Sequence, residues 1–368
     1  MPLIAVIQNY VKKNNLLKEQ EILDAIFLAS VLPGPMAFNV VVGVGYRLRG
    51  IKGALVCGLG ALLPTFMLVL GLSIAYFRWG QIPVIDRLFM GFTPAMVAIV
   101  VSAAWSMGRK AIAGVPQLII SVAACAVLVG IGGFYSTIGI VLGSGLVGWL
   151  LFRDRRIIPR KPPKPQLTVQ SPPERQSSTR FLSVSMLPIM GLLTVQPALV
   201  LKLFTTFATL SLTLFGSGYV FIPIIQDLVV NSHSWVTNKE FIDGLAISQI
   251  TPGPILITSA FIGYKAAGFL GALSATVGMF LPPALLMLVG TYFLDSLKNS
   301  TGIKAALEGV RPAVVGMLIA AAFVVSQTIP PYWASAIIFT AALVAIIRFR
   351  VEVALIIPLA GLVGLALY

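Results

Sequence analysis

Between residues 111 and 152 the chain has no charged side chain, and neither do residues 53 to 77, 266 to 294 or 312 to 347. Each run meets or exceeds the ~20 residues that a helix needs to cross hydrocarbon. Charged residues make up 10% of the sequence, against about a quarter in an ordinary soluble domain. Alternation of strand length is absent, so helices are the structure that can satisfy the backbone inside a bilayer. The chain reads as an all-α polytopic membrane protein with about 12 transmembrane segments.

The net charge of +14 does not call for nucleic acid, because most Lys and Arg stand in short loops between apolar runs, where positive-inside sorting puts them. Cys57 and Cys125 lie within apolar segments and are expected to be packed side chains rather than disulfide partners or metal ligands. The opening "MPLIAVIQNYVKK" has neither the basic n-region nor the cleavage site of a signal peptide, so no leader is expected to be removed.

One long polar stretch interrupts this pattern. Residues 153 to 180 hold eight Lys or Arg, Asp154, Glu174 and six prolines, the composition of a disordered, basic, cytoplasmic linker. It separates residues 1 to 152 from residues 181 to 368, and these two halves repeat each other. Ile7-Gln8 matches Ile225-Gln226, and Glu21 and Asp24 match Glu240 and Asp243. Pro33-Gly34-Pro35 matches Pro252-Gly253-Pro254, and Gly-Tyr-x-x-x-Gly-x-x-Gly-Ala-Leu recurs from Gly45 and from Gly263. Pro64 answers Pro282, "GFTPAMV" at Gly91 answers "GVRPAVV" at Gly309, and "GLVG" closes each half.

With the linker inside, counting back through helices at about 136 to 152, 117 to 133, 88 to 108 and 53 to 77 puts Arg109, Lys110, Arg47, Arg49 and Lys52 inside. In the second half positive charge moves to the opposite loops, at Lys298, Lys304, Arg348 and Arg350. The halves are therefore expected to be inverted in the membrane, as in many secondary transporters. Inversion needs an odd number of crossings before Lys265, and three fit, at about 181 to 201, 203 to 230 and 240 to 264. The first half offers one counterpart, at about 20 to 46. Nothing in it answers residues 203 to 222, so the chain is expected to start late, without the first helix of that half.

A Pro-Gly-Pro inside a span removes two backbone donors and leaves carbonyls without helical partners. Such groups are costly in lipid, so each break must face protein or water. Each reads as the junction of two half-helices near mid-membrane. The second half-helix offers N–H groups and a positive dipole end, which suit an anion. The binding residues expected on this basis are Pro33, Gly34, Pro35 and Asn39 in the first half. In the second they are Thr251, Pro252, Gly253, Pro254 and Thr258, joined by Gly216, Ser217 and Gly218 of "FGSGY". Ser30, Ser248, Gln249 and Ser259 flank them. Asp24, Asp243 and Arg311 are candidates for coupling or steering. The alternatives are a buried turn without ligand for the breaks, a surface helix start for the acids, helped by a Thr237 to Glu240 capping box, and snorkelling for Arg311. His233, in a polar loop, is expected to be solvated.

These residues together resemble the chromate transporter family. Its halves each carry a Phe followed by a Gly-rich break, then Pro-Gly-Pro, Gly-Tyr and Gly-Ala before a proline-containing span. The second half has the full set in "LFGSGYVFIP", "ITPGPILITSAFIGYKAAGFLGAL" and "FLPP", and the first has "LPGP", "GYRLRGIKGAL" and "LLP". The first half departs in lacking the Phe-Gly-Gly-Pro-like helix, and the second has Ser217 where a third glycine is usual. The resemblance implies a multi-pass inner-membrane secondary transporter that exports chromate and gives chromate resistance, with no cofactor and no metal. Sulfate or another oxyanion is the alternative cargo, since size and charge barely separate it from chromate, and an inactive truncated chain is the other. The partners expected are the oxyanion, the bilayer and a second copy in a homodimer. An enzyme is disfavoured, because no HExxH, dinucleotide or haem pattern occurs.

Overall fold

The fold is described from a computed structural model, which covers residues 11, 16–17, 19–79, 83–153, 197–213, 222–251, 253–294, 300–327, 329, 332–349, 351 and 353–368. Most of the expected linker, the start of the segment from 181, "FGSGY" and Pro252 lie outside these residues. The described residues form helices without a strand. In the first half these are α1 (Glu19–Val31), α2 (Met36–Trp79), α3 (Pro83–Ala111), α4 (Val115–Gly130) and α5 (Gly133–Phe152). The second half has α6 (Pro197–Leu212), α7 (Ile222–Gln226) running into a π-turn (Asp227–Ser232), and α8 (Asn238–Ile250). After the turn Ile255–Ile257 come α9 (Thr258–Tyr292), α10 (Thr301–Ser326), α11 (Trp333–Phe349) and α12 (Val353–Leu367).

Among the described residues five helical segments are long and apolar enough to cross a membrane: Met36–Trp79, Arg87–Ala111, Tyr135–Phe152, Ile255–Tyr292 and Thr301–Ser326. Outer helices present apolar side chains outward, Val115, Leu118, Ile119 and Val122 on α4 and Leu355, Leu359 and Leu362 on α12. Such a surface is a liability in water and the natural contact with lipid. The centre is built from α3 and α10, where Ala95, Ala98, Ala313, Ala320 and Ala321 are fully buried. Small side chains let helix backbones approach closely.

The halves are interlocked. Helix α3 packs on α11 and α12 of the other half, and α10 packs on α4 and α5. A Cβ at Gly91 would lie 2.9 Å from Gly364 Cα, and one at Gly309 would lie 2.6 Å from Gly148 Cα. The repeated "GFTP" and "GVRP" glycines thus each meet the "GLVG" of the opposite half.

The Pro-Gly-Pro segments are the tips of helical hairpins, which corrects the expectation that 20 to 46 and 240 to 264 each cross the membrane once. In the first half, Ala25 Cβ on α1 lies 3.5 Å from where a Cβ on Gly43 would stand, nine residues to either side of Gly34. In the second, Ser248 and Thr258 meet through their hydroxyls at 2.9 Å, five residues to either side of Gly253. The chain therefore doubles back at each break. An arm of 13 residues, such as α1, is about 20 Å long, short of the ~30 Å hydrocarbon core. The periodicity of a hairpin arm is the same as that of half a spanning helix, which is why the sequence pattern does not separate them.

Each hairpin returns into a long helix through the same turn. Arg49 and Gly50 have φ/ψ of −144°/32° and 60°/−147°, and Ala267 and Gly268 have −148°/31° and 61°/−150°. The second residue's positive φ suits glycine alone. Across the turn the backbones touch: a Cβ on Gly45 would lie 2.5 Å from Gly53 O, and the Gly263–Gly271 approach is closer still. The three glycines of the Gly-Tyr motif are thus two contacts and a turn.

Past the turns, residues 51–79 and 269–292 run in opposite directions. The base of the first hairpin lies beside the end of α9, where the Tyr46 and Tyr292 hydroxyls are 2.9 Å apart. The base of the second lies beside the end of α2, where Phe77 stacks on Tyr264 and Lys265 Nζ sits 4.8 Å from the Phe77 ring centre. A further correction concerns the expected boundary between crossings at 201 and 203, which falls inside the continuous helix α6.

Two outcomes follow from this packing. Ser248→Cys with Thr258→Cys, in a chain with Cys57 and Cys125 changed to Ser, is expected to form a disulfide on mild oxidation, read by mass spectrometry as loss of both thiols. In a through-running helix residues ten apart stand about 15 Å apart and stay reduced. Gly309→Val is expected to cost ~1–3 kcal/mol by overpacking and to lower the thermal midpoint in detergent, whereas an unchanged midpoint would contradict the α5–α10 contact.

Candidate functional site: the two hairpin tips

Helix α1 ends with Leu32 N–H on Leu28 O, and the chain restarts with Asn39 N–H on Pro35 O at 2.9 Å. Between them Gly34 takes a φ of +113°. Asn39 folds back on the tip, its Nδ2 donating to Pro33 O at 3.2 Å. The side chain is fully buried, and Oδ1 has no hydrogen-bond partner among the described residues.

At the second tip Thr251 Oγ1 donates to Ser248 O at 2.9 Å, and Ser248 Oγ donates to Gly244 O at 2.8 Å. Thr258 Oγ1 lies 2.9 Å from Ser248 Oγ and 2.7 Å from Ile255 O, and its single proton serves one of them. Ile257 N–H bonds Pro254 O at 3.0 Å. Ser259 is buried beside Thr258, and its hydroxyl has no partner among the described residues. The sequence-predicted residues Thr251, Gly253, Pro254 and Thr258 are thus brought together, as are Pro33, Gly34, Pro35 and Asn39.

What covers each tip comes from the opposite half. Gly34 faces Pro283, so closely that a Cβ there would overlap the proline ring. Gly253 faces Thr65, with a would-be Cβ 2.6 Å from Thr65 Oγ1. Pro64-Thr65 and Pro282-Pro283 are equivalent positions in the repeat, and both lie inside their long helices. A proline there leaves a carbonyl one turn earlier without its helical donor, so each broken tip rests on a broken rung of the facing helix. Phe38 packs edge-on against Phe280 beside the first tip, with ring centres 5.1 Å apart.

The charged candidates lie toward the hairpin bases. Asp24 is 3.8 Å from Arg47 and accepts from Gln20 Nε2 at 3.1 Å. Its counterpart Asp243 is different. It is buried, and Tyr76 of the first half donates to its Oδ2 at 2.6 Å. A surface helix start therefore accounts for neither the burial nor the cross-half bond of Asp243. Tyr76 itself is walled by Phe77, Phe89 and Phe261. Glu240 closes the Thr237 capping box and pairs with Lys265 at 2.8 Å. Arg311 is exposed on α10, while the equivalent Thr93 is buried. His233 is half-buried against Trp235 rather than freely solvated, with ring centres 4.6 Å apart.

Thr65, Tyr76 and Pro283 were not among the residues expected from sequence. Pro64 and Pro282 stood out as a repeated pair, but nothing in the repeat says that each meets the other half's tip. Among the described residues no three His, Cys, Asp or Glu side chains gather as a metal site would require. Grooves of about 670 Å³ along α11 and about 380 Å³ between Gly132 and Asp227 are lined by neither tip.

Comparison with known proteins matches this sequence to one family. The profile described as chromate transporter matches residues 1–149 and 201–365. The chain is 27% identical to a chromate transport protein of Cupriavidus metallidurans over 94% of this chain and 82% of that one. It is 29% identical to a chromate transport protein of Pseudomonas aeruginosa, over 91% and 80%. A probable chromate transport protein of Synechococcus elongatus is 27% identical over 87% and 78%. No solved structure matches the chain. With both halves covered, the chain belongs to the chromate transporter family.

Proposed function

We propose that the protein is a secondary transporter that carries chromate outward across the inner membrane and so gives chromate resistance, with its two halves inverted in the bilayer. The observation that carries this reading is the crossed arrangement of the tips. Each Pro-Gly-Pro is held against the proline step of the opposite half, by Pro283 and by Thr65, in helices that run in opposite directions. Inverted repeats of this kind place a substrate site near mid-membrane with an entrance on either side. The names of the relatives, which are chromate transport proteins, support chromate as the cargo. Sulfate is the isosteric competitor.

Binding in this reading uses N–H groups at the tips and nearby hydroxyls in place of a fixed cation. The first amides of a helix lack intrahelical acceptors, and the dipole adds roughly half a positive charge. That attraction is enough to hold a dianion and weak enough to release it. Arg311, exposed on α10, is placed to raise local anion concentration rather than to bind. Both tips and both proline steps come from a single chain, so one chain is the transport unit, and a homodimer would pair two such units.

Everted membrane vesicles from a chromate-sensitive host carrying this chain are expected to accumulate chromate saturably when energised. Gly253→Ala, whose methyl would overlap Thr65, is expected to lower that uptake at least about tenfold, as a loss of roughly 1.4 kcal/mol or more would, with unchanged protein in the membrane. Full uptake by this variant would contradict the site. Flux that never saturates would point to a channel instead.

A further inference from the structure

Away from the tips, each half repeats one more contact with the other. The tyrosine of the Gly-Tyr motif stands at the base of each hairpin, Tyr46 in the first half and Tyr264 in the second. Each meets an aromatic ring at the end of the other half's long helix. Tyr46 lies edge-on to Tyr292, with ring centres 6.5 Å apart and hydroxyls 2.9 Å apart. Tyr264 stacks on Phe77 at 6.1 Å.

The two contacts sit at opposite ends of the same pair of helices. Gly53 touches Gly45, the residue before Tyr46, and Phe77 lies 24 residues further along α2, about 36 Å at 1.5 Å per residue. Gly271 touches Gly263, the residue before Tyr264, and Tyr292 lies 21 residues further along α9, about 31 Å. These lengths match the ~30 Å hydrocarbon core, which puts one contact at each face. Near the middle of each run stands a proline, Pro64 eleven residues after Gly53 and Pro282 eleven after Gly271. Proline is where a helix bends, and here the next residues, Thr65 and Pro283, bear on the tips. Each long helix thus has a ring contact beside either end and a bending point against a tip between them.

The ring contacts differ in kind from the contacts that hold the halves together. At Gly91 with Gly364 and at Gly309 with Gly148, backbone meets backbone, and nothing can part there without unpacking two helices. The ring contacts join side chains alone. Tyr292 is 77% exposed, and a single hydroxyl pair holds it to Tyr46, a bond that favours the closed contact by about tenfold or less. We infer that Tyr46–Tyr292 and Tyr264–Phe77 are the two gates of the transport path, one at each face, and that they open alternately around the tips. In this structure both are closed. Bending at Pro64 or Pro282 lets one end of a long helix swing away while the other stays docked, as alternating access between inverted halves requires. This assignment rests on the transport reading and adds to it the place of each entrance and the side chains that shut it.

The test uses the full-length chain with Cys57 and Cys125 changed to Ser. It carries Tyr46→Cys with Tyr292→Cys, Phe77→Cys with Tyr264→Cys, or all four, and is treated with a short bismethanethiosulfonate that reductant removes. The pairs stand about 31 to 36 Å apart, so the reagent joins each pair only within itself. In proteoliposomes either tether is expected to lower the initial rate of chromate uptake at least about tenfold, and dithiothreitol to restore it. In detergent, equilibrium chromate binding is expected to persist with either tether, because the other gate still opens, and to fall at least about tenfold with both. Unchanged uptake with either pair tethered overturns the assignment. So does loss of binding with one tether, which would mark a packing role, or full binding with both. Phe77→Cys with Lys265→Cys replaces the second pair if Tyr264→Cys does not insert, since Lys265 Nζ lies 4.8 Å from the same ring centre. Failure of the untethered wild type to move chromate overturns the transport reading itself.

Discussion

A backbone polar group left without a partner in hydrocarbon costs several kcal/mol, and this chain carries two Pro-Gly-Pro breaks within apolar sequence. Each half covers its own break only in part, as where Asn39 Nδ2 donates to Pro33 O. Each tip is also set against the long helix of the other half, Gly34 on Pro283 and Gly253 on Thr65. The crossed contacts of Gly91 with Gly364 and of Gly309 with Gly148 hold the halves in the register that makes this cover available. Interlocking is thus a consequence of breaking two helices in a bilayer.

The same cover confers function. A tip sealed wholly by apolar side chains offers a ligand nothing, whereas one that keeps polar groups in reach is the site that the proposed reading uses. The second tip brings Thr65, Ser248, Thr251 and Thr258 together, the groups on which the proposed reading draws. Around the base of that hairpin, Asp243 accepts from Tyr76, and Lys265 lies between Glu240 and the Phe77 ring. Polar contacts between the halves therefore run from the hairpin base to its tip, so that a change at either end bears on the same surface.

Much of this was legible in the sequence, and the rest was withheld for physical reasons. Charge-free runs mark helices because lipid excludes charge, and the spans expected near 53 to 77, 88 to 108, 117 to 133 and 136 to 152 are helical in the structure. The Gly-Tyr motif recurs because the same turn recurs, to within a few degrees at Gly50 and Gly268. Direction was not legible. A helical arm after Pro-Gly-Pro has the same periodicity whether the chain continues or doubles back, and the meetings of Ala25 with Gly43 and of Ser248 with Thr258 distinguish the two. Contacts across the halves were hidden for a related reason: Thr65 and Tyr76 sit in an apolar helix whose own pattern is indifferent to what lies opposite. Asp243 looked like a helix-start acid beside Glu240 because the capping box is real; its burial against Tyr76 is set by another element.

The account's central claim is that the oxyanion is held where a hairpin tip meets the proline step of the opposite half. Anomalous X-ray diffraction from crystals of the protein with bound chromate locates the chromium directly. A chromium peak where a hairpin tip meets the proline step of the opposite half is the result predicted here, and a peak remote from both tips would contradict it.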